Sequence, residues 1–514
     1  MTTTAVTPRV PGTQAAHAGF GRLLRAEWTK FRTVRGWLIA MLLAALMTAG
    51  VALLNHSTCG GTVVPGGKAI TGAGCAAPPS GPGGVLVTDS FYFVRQPLAG
   101  NGSITVRMTS LTAGHGPAGL QPWSKAGIII TAGLRPGSAY AAMMVTAGHG
   151  VRMQYDYTGD IAGPPGGVSA AAPRWLRLTR SGGTVTGYES GNGTRWSLMG
   201  TVHLPALPAT VQAGMFAASP GSSQSTSQTL GGSSGSGEST VATARFDHVS
   251  LTGRHPGGGW AGTAVGGPSP GTALHHAAGT VTVSGSGDLA PYVAAGGPPG
   301  TPVEQTLTGA VFGLIAVIVV AAMFMTAEYR RGLIRVTFAA SPHRGRVLAA
   351  KAIVIGVVTF LAGLAGSIVA VVTGEWLLRS NGNFILPVSA FTEVRAVAGT
   401  AALLAVAAVL ALALGALVRS SAVAVTAVIV AIVLPYLLAI IVLPAAAADW
   451  LLRLTPAAAF AIQQTTPAYP QVSAPYTPGN GFFPLAPWAG LAVLCGYTAL
   501  AFGLAVVLVR RRDA

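Results

Sequence analysis

The sequence predicts a polytopic α-helical membrane protein of about six transmembrane helices, with one all-β sandwich domain inserted between the first span and the second. Half of its 514 residues are apolar and only 9% are charged, whereas a soluble domain carries about 25% charged residues. The 70 glycines and 34 prolines are too many for helices alone, and they concentrate between residues 55 and 303. Short alternating runs within that segment are typical of β-strands.

Six apolar runs approach or reach the roughly 20 residues that a membrane-spanning helix needs. They are Trp37–Leu54, Leu307–Thr326, Ala352–Val372, Val397–Val418, Ala422–Val442 and Trp488–Val509. Pro435 lies within the fifth run, and we expect it to kink that helix rather than end it. The stretch before the first run is longer than the usual basic region of a signal peptide, so we expect a retained span, residues 36–54.

Lysine and arginine outnumber the acids by 31 to 14, for a formal net charge of +17. The cations lie at the ends of apolar runs, as Arg22, Arg25, Lys30, Arg32 and Arg35, then Arg330, Arg331, Arg335, Arg344, Arg346 and Lys351, then Arg419, and finally Arg510, Arg511 and Arg512. The positive-inside rule then predicts a plasma-membrane protein with both termini cytoplasmic and residues 55–303 extracellular. No recognition motif accompanies the charge, so we expect no nucleic-acid partner.

The N-terminal segment divides in two. Residues 1–19 are polar, and we expect a disordered cytoplasmic tail. In residues 20–35 the apolar positions recur at helical spacing and cations fill the rest, which favours an amphipathic helix lying on the inner membrane surface. The apolar positions are Phe20, Leu23, Leu24, Trp28 and Phe31. An ordinary basic flank of the first span is the alternative.

Residues 85–252 are predicted to form the sandwich. The predicted strands include Ser103–Met108, Gly127–Thr131, Ala141–Val145, Val151–Tyr155, Trp175–Thr179, Val211–Phe216 and Val241–Leu251. Residues 218–240 are interpreted as a flexible Ser/Gly loop. Residues 253–303 are interpreted as a Gly/Pro-rich linker to the second span, with one short strand at 280–284.

The strand order of this segment resembles a laminin-G-like, concanavalin-type jelly roll of the DUF1349-like group. The resemblance is carried by DSFYFV, ITVRM, WSKAGIII, YAAMMVTAGHGVRMQY and the later strands through ARFDHVSL. Such sandwiches often bind carbohydrate, so the resemblance makes Trp123, Tyr155 and Trp196 candidate stacking rings, as are Trp175 and Tyr188. The alternative is that these rings fill the core or the strand faces. We expect no metal site, since the acids form no recognisable calcium loop, and no paired carboxylates support a glycosidase.

Cys59 and Cys75 flank a Gly-rich stretch just beyond the first span. They can form a disulfide if that side of the membrane is oxidising. Two unpaired thiols are an equally open interpretation.

The segment AEYRRGLIRVTFAASPHRGRVLAAK, residues 327–351, resembles the cytoplasmic loop of ABC-2 type transporter permeases. The family pattern E-Y/F-R-x-G-T-I-R is matched by Glu328, Tyr329, Arg330, Gly332, Leu333, Ile334 and Arg335, with Leu333 in place of the usual Thr. Residues 23–37, LLRAEWTKFRTVRGW, are similar to the start of such permeases. The resemblance covers residues 20–54, which contain the first span, and residues 304–514, which contain spans two to six.

The resemblance implies a non-catalytic membrane subunit that pairs with itself or with a sister permease above two cytoplasmic ATPases. The chain has no G-x-x-x-x-G-K-[ST] loop, so we expect no cofactor in this chain and ATP with Mg²⁺ in the partner. The implied docking residues are Arg25, Glu27, Lys30, Glu328, Tyr329, Arg330, Arg331, Gly332 and Arg335. The alternative for the arginines is that they only enforce topology.

A membrane-anchored, lectin-like receptor is the competing hypothesis, in which the helices are a scaffold and the sandwich binds carbohydrate. Membrane lipid is an expected partner under both hypotheses. Residues 445–486 precede the sixth span, and we expect a short external helix, re-entrant or interfacial, followed by a Pro-rich loop.

Overall fold

The structure, a computed structural model, describes residues 19–54, 76–114, 119–227, 233–257, 259–267, 271–277, 279–294, 300–332 and 343–512. The predictions for the tail before residue 19, for a Cys59–Cys75 disulfide and for Arg335 lie outside these described residues.

The described helices begin and end close to the predicted runs. They are α1 (Phe20–Thr33), α2 (Arg35–Leu54), α3 (Ala310–Arg330), α4 (Arg344–Ser380), α5 (Ala390–Val418), α6 (Ser421–Ile441), α7 (Ala445–Leu454) and α8 (Pro487–Arg512). Within the described ranges, six of them are long and apolar enough to cross a membrane, namely α2, α3, α4, α5, α6 and α8. The prediction of a six-span helical membrane protein with an inserted β domain is confirmed.

The fourth helix, α4, is 37 residues long, much longer than its predicted apolar run. It begins in the basic stretch at Arg344 and continues past the apolar run to Ser380. The helical pattern therefore extends beyond the hydrocarbon region at both ends, because basic and polar residues favour helix as well as apolar ones do.

The fifth span, α6, continues through Pro435 to Ile441, as predicted. Proline cannot donate a backbone hydrogen bond, so the preceding turn must change. Residues Ile429–Val433 form a π-helical turn, in which the Leu434 N–H donates to the carbonyl of Ile429 five residues earlier. This turn absorbs the missing bond without ending the helix.

Five helix ends that carry arginine lie together, and we call this side of the bundle the arginine end. It holds Arg35 of α2, Arg330 of α3, Arg344 of α4, Arg419 after α5 and Arg510 of α8. Contacts between the helix ends define it: the Arg344 guanidinium donates to the Val509 carbonyl at 3.2 Å, and the Arg419 guanidinium lies 5.2 Å from the Tyr329 ring centre.

A bent pair of helices joins α6 to α8 at the opposite end of the bundle. Helix α7 meets a 3₁₀ helix, Pro456–Gln463, at an angle of 106°. All eight residues of the 3₁₀ helix are buried, against α5 and α8. A broken or re-entrant segment of this kind is tolerated at membrane depth where protein covers its backbone.

The inserted domain is built from antiparallel strands. They are β1 (Val87–Asp89), β2 (Phe91–Ala113), β3 (Lys125–Thr131), β4 (Tyr140–Thr146), β5 (Gly150–Tyr155), β6 (Gly159–Ala162), β7 (Arg174–Ser181), β8 (Thr184–Ser190), β9 (Ser197–His203), β10 (Thr210–Ala218), β11 (Ser222–Ser227), β12 (Ser233–Glu238), β13 (Ala242–Arg254), β14 (Ala261–Val265), β15 (Ala273–Ala277), β16 (Thr280–Gly285) and β17 (Leu289–Pro291). The long strand β2 is the hub, because it pairs with β7, β10, β13 and β14.

Strands β3, β4 and β10 lie at the centre of the domain, and their side chains are buried on both faces. In β3, Ile128 and Ile130 enter the main core between the layers, while Ile129 enters a second core on the opposite face. Because both faces are covered, the sequence of β3 is a continuous apolar run rather than an alternating one.

Two predictions for this domain are wrong. The predicted flexible loop at 218–240 contains an antiparallel hairpin, β11–β12. The predicted linker at 253–303 contains four strands, of which β16 pairs with β13 and β17 pairs with β1. The domain thus continues to Pro291. The strand predicted at 280–284 is β16, but β14, β15 and β17 alternate too weakly to be predicted from the sequence.

Candidate functional site

Four charged side chains from three helices meet near the arginine end, and we call them the ion cluster. The Lys351 ammonium of α4 lies 2.6 Å from Glu328 Oε1 of α3 and 2.7 Å from Glu27 Oε2 of α1. The Lys30 ammonium lies 2.8 Å from Glu27 Oε1 and 3.1 Å from Glu328 Oε1. The cluster holds two carboxylates and two ammonium groups, so its formal charge is balanced.

The ion cluster is buried apart from Lys30. Lys351 is fully buried, Glu27 is 3% exposed and Glu328 is 8% exposed. Burial alone lowers the pKa of Lys30, but its bonds to Glu27 and the nearby charge of Glu328 raise the pKa above its ordinary value overall. The fully buried Lys351 ammonium is stable only while its carboxylate partners stay in place.

Aromatic contacts hold α1 over the ion cluster. The fully buried ring of Phe31 in α1 meets Phe324 of α3 edge-on at 5.7 Å, and Trp37 at the start of α2 meets the same ring at 6.1 Å. The Lys351 ammonium lies 4.7 Å from the centre of the Phe324 ring. Helix α1 is therefore fastened to α3 and α4 by both charge and packing, which the prediction of an interfacial helix did not include.

The structure places Glu27 and Glu328, two of the predicted docking residues, inside the protein, and a docking role for them stays a prediction. Their carboxylates bond to lysines of the same chain inside the protein. Lys351 was interpreted only as a topology-setting cation, and its role in the cluster was missed. The available signal was its position, since it lies at the start of the third apolar run, where an unpaired charge would be costly.

The other predicted docking residues divide by exposure. Arg25, Arg330 and Arg331 are exposed, and Gly332 is exposed with a φ of +67°, a conformation that favours glycine in the turn after α3. Tyr329 is half-buried against the bundle core. The structure thus places an exposed basic surface directly beside the buried ion cluster.

The candidate stacking rings of the sheet domain do not form an open platform. Trp123 is 5% exposed and stacks on His149 at 4.0 Å. Trp196 is half-buried beneath the Arg177 guanidinium, 3.9 Å from the ring centre, and Tyr155 packs beside the main core. Carbohydrate binding by these rings stays a prediction.

The rings of Trp175 and Tyr188 lie on the strand faces of β7 and β8, half-buried. The Arg107 guanidinium lies 5.9 Å from the Trp175 ring centre, and the same arginine forms an ion pair with Asp247 at 2.6 Å. These contacts are those of a packed strand face rather than of a ligand site.

The sheet domain touches the helical part at the end opposite the arginines. Gln471 donates from Nε2 to the carbonyl of Thr158 at 3.3 Å. The Thr301 N–H donates to the Phe384 carbonyl at 2.8 Å. A cavity of about 480 Å³ lies between the two parts, lined by loops of both, including Tyr292, Leu386 and Tyr469.

A buried carboxyl group lies in the sheet domain close to that contact. Asp89 accepts hydrogen bonds from the Tyr157 hydroxyl at 2.6 Å and from the Gly137 N–H at 2.8 Å. Burial raises the pKa of Asp89 to about 6, although these hydrogen bonds oppose the change. The Gln471 amide donates to the backbone carbonyls of both Tyr157, at 3.5 Å, and Thr158, at 3.3 Å.

A second buried acid, Glu304, lies just before α3 and was not identified from the sequence. It is 7% exposed and accepts hydrogen bonds from Thr466, at 3.1 Å, and from Thr465. It therefore ties the start of the second span to the loop that follows the 3₁₀ helix. The sequence signal for this site was the position of Glu304, a lone acid directly before the second apolar run.

The comparisons with known proteins identify the helical part. The family model described as "ABC-2 family transporter protein" matches residues 184–514, more than half of the chain. The match begins at the start of β8 and includes α3 to α8, but it does not reach α1 and α2. The comparison with curated proteins finds no match.

Solved structures give only weak likenesses. A functionally unknown protein from Saccharomyces cerevisiae is 17% identical over 36% of this chain and 85% of its own, with a TM-score of 0.23. SCP-B, a member of the Eqolisin family of peptidases, is 8% identical over 38% of this chain and 98% of its own, also at 0.23. The alginate lyase from Klebsiella pneumoniae is 13% identical over 30% and 61%, at 0.18. Scores this low carry no argument about fold or activity.

Proposed function

Because this chain belongs to the ABC-2 family of transporter proteins, we propose that it is the non-catalytic membrane permease subunit of an ABC exporter. A separate cytoplasmic ATPase binds ATP and Mg²⁺ and docks on the arginine end. The permease works as a homodimer or beside a sister permease. ATP-driven closure of the ATPases shifts the spans and moves a substrate outward across the plasma membrane.

The ion cluster is the observation that carries this proposal. It connects α1 directly to α3 and α4 through Glu27, Glu328 and Lys351. A force applied to α1, or to the turn after α3, is transmitted to two spans through bonds of 2.6–2.7 Å. The exposed Arg25, Arg330 and Arg331 beside the cluster supply complementary charge for an acidic patch on the ATPase.

The orientation follows from the same cations. The helix ends with the most arginine and lysine face the cytoplasm in most membrane proteins. We therefore place the arginine end, both termini and the ATPase in the cytoplasm. The sheet domain then lies outside the cell, where it receives or guides the exported substrate.

We assign the sheet domain to the jelly-roll class on the strength of its antiparallel pairing. The first half of β2 pairs with β10 and β14 and its second half with β13 and β7, as a strand that crosses between the two sheets of a sandwich does. Its proposed role is secondary to that of the helices, since the described core of the helical bundle contains no residue of the insert.

Co-purification with the ATPase tests the docking assignment. The full chain is co-expressed with the ATPase that we expect a neighbouring gene to encode, and the retained ATPase is measured after affinity purification in mild detergent. The variant Arg25→Glu/Arg330→Glu/Arg331→Glu reverses three exposed charges. We expect it to retain less than a tenth of the ATPase, since like charges across an interface are strongly unfavourable.

Arg379→Glu is the matched control, because Arg379 is exposed at the other end of α4. It should retain the ATPase as the unaltered chain does. Size-exclusion profiles of all variants establish that each is folded. If the triple variant retains the ATPase fully, docking does not use this surface, and the assignment is wrong.

A further inference from the structure

An open apolar groove runs along the outside of the helical bundle near the arginine end. It has a volume of about 490 Å³ and lies between α4, α5 and α8. Small side chains create it, above all Ala352 and Gly356 of α4, Ala405 of α5 and Ala499 of α8, with Phe502 on its wall. These positions leave space that larger side chains would fill.

The groove offers almost nothing but hydrocarbon. Thr498 is one of the few polar side chains on its wall, and its hydroxyl already donates to the Leu494 carbonyl at 2.8 Å. Two of the three helices that form the groove are mostly exposed on the outside of the bundle. Only 39% of the apolar segment of α4 and 28% of that of α8 are buried inside the protein. The groove therefore opens toward the lipid that surrounds the protein.

Arginines stand at one end of this groove. Gly345 lies directly against Arg510, since a Cβ there would be 3.2 Å from the Arg510 guanidinium. Arg346 and Arg510 are both exposed. The nearest groove residue, Ala349, is three residues after Arg346, or about 4.5 Å along the helix axis at 1.5 Å per residue. An apolar groove thus runs directly into a cationic rim.

We propose that this groove is a binding site for an anionic phospholipid of the surrounding bilayer. One acyl chain lies in the groove, and the phosphate accepts hydrogen bonds from Arg346 and Arg510 at its rim. Guanidinium groups suit this role because they bind phosphate oxygens in pairs. Basic pockets between spans on the cytoplasmic side are the known setting for anionic headgroups.

A helix of a second copy is a poorer occupant of the groove. All copies lie in the membrane with the same orientation, so the arginine ends of two copies share one level. A helix seated in the groove would bring its own cationic end against Arg346 and Arg510. That juxtaposition is repulsive, whereas the phosphate of a lipid neutralises the same charges.

Photolabelling of the full chain in nanodiscs tests the site. Two probes are compared at equal mole fraction in a phosphatidylcholine bilayer: phosphatidylglycerol and phosphatidylcholine, each with a diazirine on one acyl chain. Labelled peptides are mapped by mass spectrometry. We expect peptides of α4 and α8 that line the groove to be labelled at least ten-fold more by the anionic probe.

Substitutions test the cationic rim and the apolar groove separately. Arg346→Gln and Arg510→Gln should each reduce the preference for the anionic probe on the order of five-fold. Gly356→Leu should abolish groove labelling by both probes, since its side chain enters the groove, where the nearest atom is 3.4 Å from its Cβ. Arg379→Gln, at the far end of α4, should change neither.

Two outcomes would overturn the proposal. Equal labelling by both probes in the unaltered chain would mean that the groove carries only nonspecific boundary lipid. Efficient Cys495–Cys495 crosslinking between copies, in a Cys59→Ser/Cys75→Ser background, would mean that a second copy covers the groove, because Cys495 is on its wall. Loss of preference in Arg346→Gln with a normal size-exclusion profile would support it.

Discussion

At the scale of single residues, the ion cluster shows that a charge deep in the protein can be structural. Lys351 is fully buried and has carboxylates on two sides, from Glu27 and Glu328. Removing one partner from such a group leaves an uncompensated buried charge, which costs about 3–5 kcal/mol. The cluster is therefore most sensitive to changes that unbalance its charge.

We expect Lys351→Met to destabilise the chain by about 3–5 kcal/mol, because two buried carboxylates would then share only Lys30. The double variant Lys351→Met/Glu328→Gln restores the balance and should lose less than the sum of the single variants. Thermal unfolding in detergent, followed by tryptophan fluorescence, measures both. Arg379→Met is the control, since its exposed ion pair with Glu375 is worth at most about 1 kcal/mol. Strict additivity would show that the cluster is not coupled.

The buried carboxyl group of Asp89 should make the stability of the sheet domain depend on pH. Its pKa in the folded chain is about 6, above the ordinary value of 3.8, so the folded chain holds a proton that the unfolded chain releases between these pH values. Stability should therefore fall as pH rises from about 4 to 6, by on the order of 3 kcal/mol. In Asp89→Asn this part of the dependence should be absent, while exposed Glu238→Gln should keep it. Parallel unfolding curves for Asp89→Asn and the unaltered chain would contradict the assignment.

At the scale of elements, close helix packing depends on glycine where two backbones meet. A Cβ added at Gly309, just before α3, would lie 2.3 Å from the Thr48 carbonyl oxygen of α2. Backbone cannot yield as a flexible side chain does, so the helices would have to separate. Small residues at such crossings are what allow spans to approach closely.

Gly309→Ala should therefore destabilise the chain by about 1–3 kcal/mol, through separation of α2 and α3. Gly503→Ala in α8 is the matched control, because no atom lies within 4 Å of its added Cβ. Its stability should be unchanged or slightly higher, since alanine favours helix. Thermal unfolding of the two purified variants compares them directly, and equal melting temperatures would show that the α2–α3 crossing tolerates the methyl group.

The elements also show what the sequence can predict. The six spans follow from hydropathy alone, because a lipid-exposed helix must be apolar over its whole length. Strands such as β3 and β10 follow from apolar runs. The strand at 280–284 was predicted, whereas the hairpin β11–β12 and the strands β14, β15 and β17 were missed, because Ser, Gly and Ala carry little strand signal. The ion cluster was missed because pairing between residues 27 and 351 is set by tertiary packing, which no local pattern contains.

At the scale of the whole molecule, the insert and the bundle have separate apolar cores. The chain leaves α2 near Ala52 and returns near Thr306, and both residues pack against Gly374 of α4. The described apolar clusters of the bundle contain no residue between Ala52 and Val303. The insert therefore enters and leaves the bundle at one place.

Replacing residues 56–300 with a short Gly/Ser linker should leave the bundle folded and still able to retain the ATPase. Size-exclusion chromatography and the same co-purification measure this. The control is a variant that keeps the insert and replaces residues 382–388, which join α4 to α5, with the same linker. It removes Leu386 and its hydrogen bond to Thr301. Aggregation of the insert-deleted chain alone would show that the bundle needs the sheet domain to fold.

The separation of Glu27 from Lys351 also orders events during synthesis. The two residues are 324 positions apart, and ribosomes add about 5–20 residues per second, so Glu27 waits roughly a quarter of a minute to a minute for its partner. During that time α1 has emerged with Lys30 as the partner of Glu27 but without the Lys351 ammonium, while the sheet domain is made and moved across the membrane. The first helix can thus be seated on α4 only after residue 351 has been made, and a nascent chain stalled before that residue should display α1 unfastened.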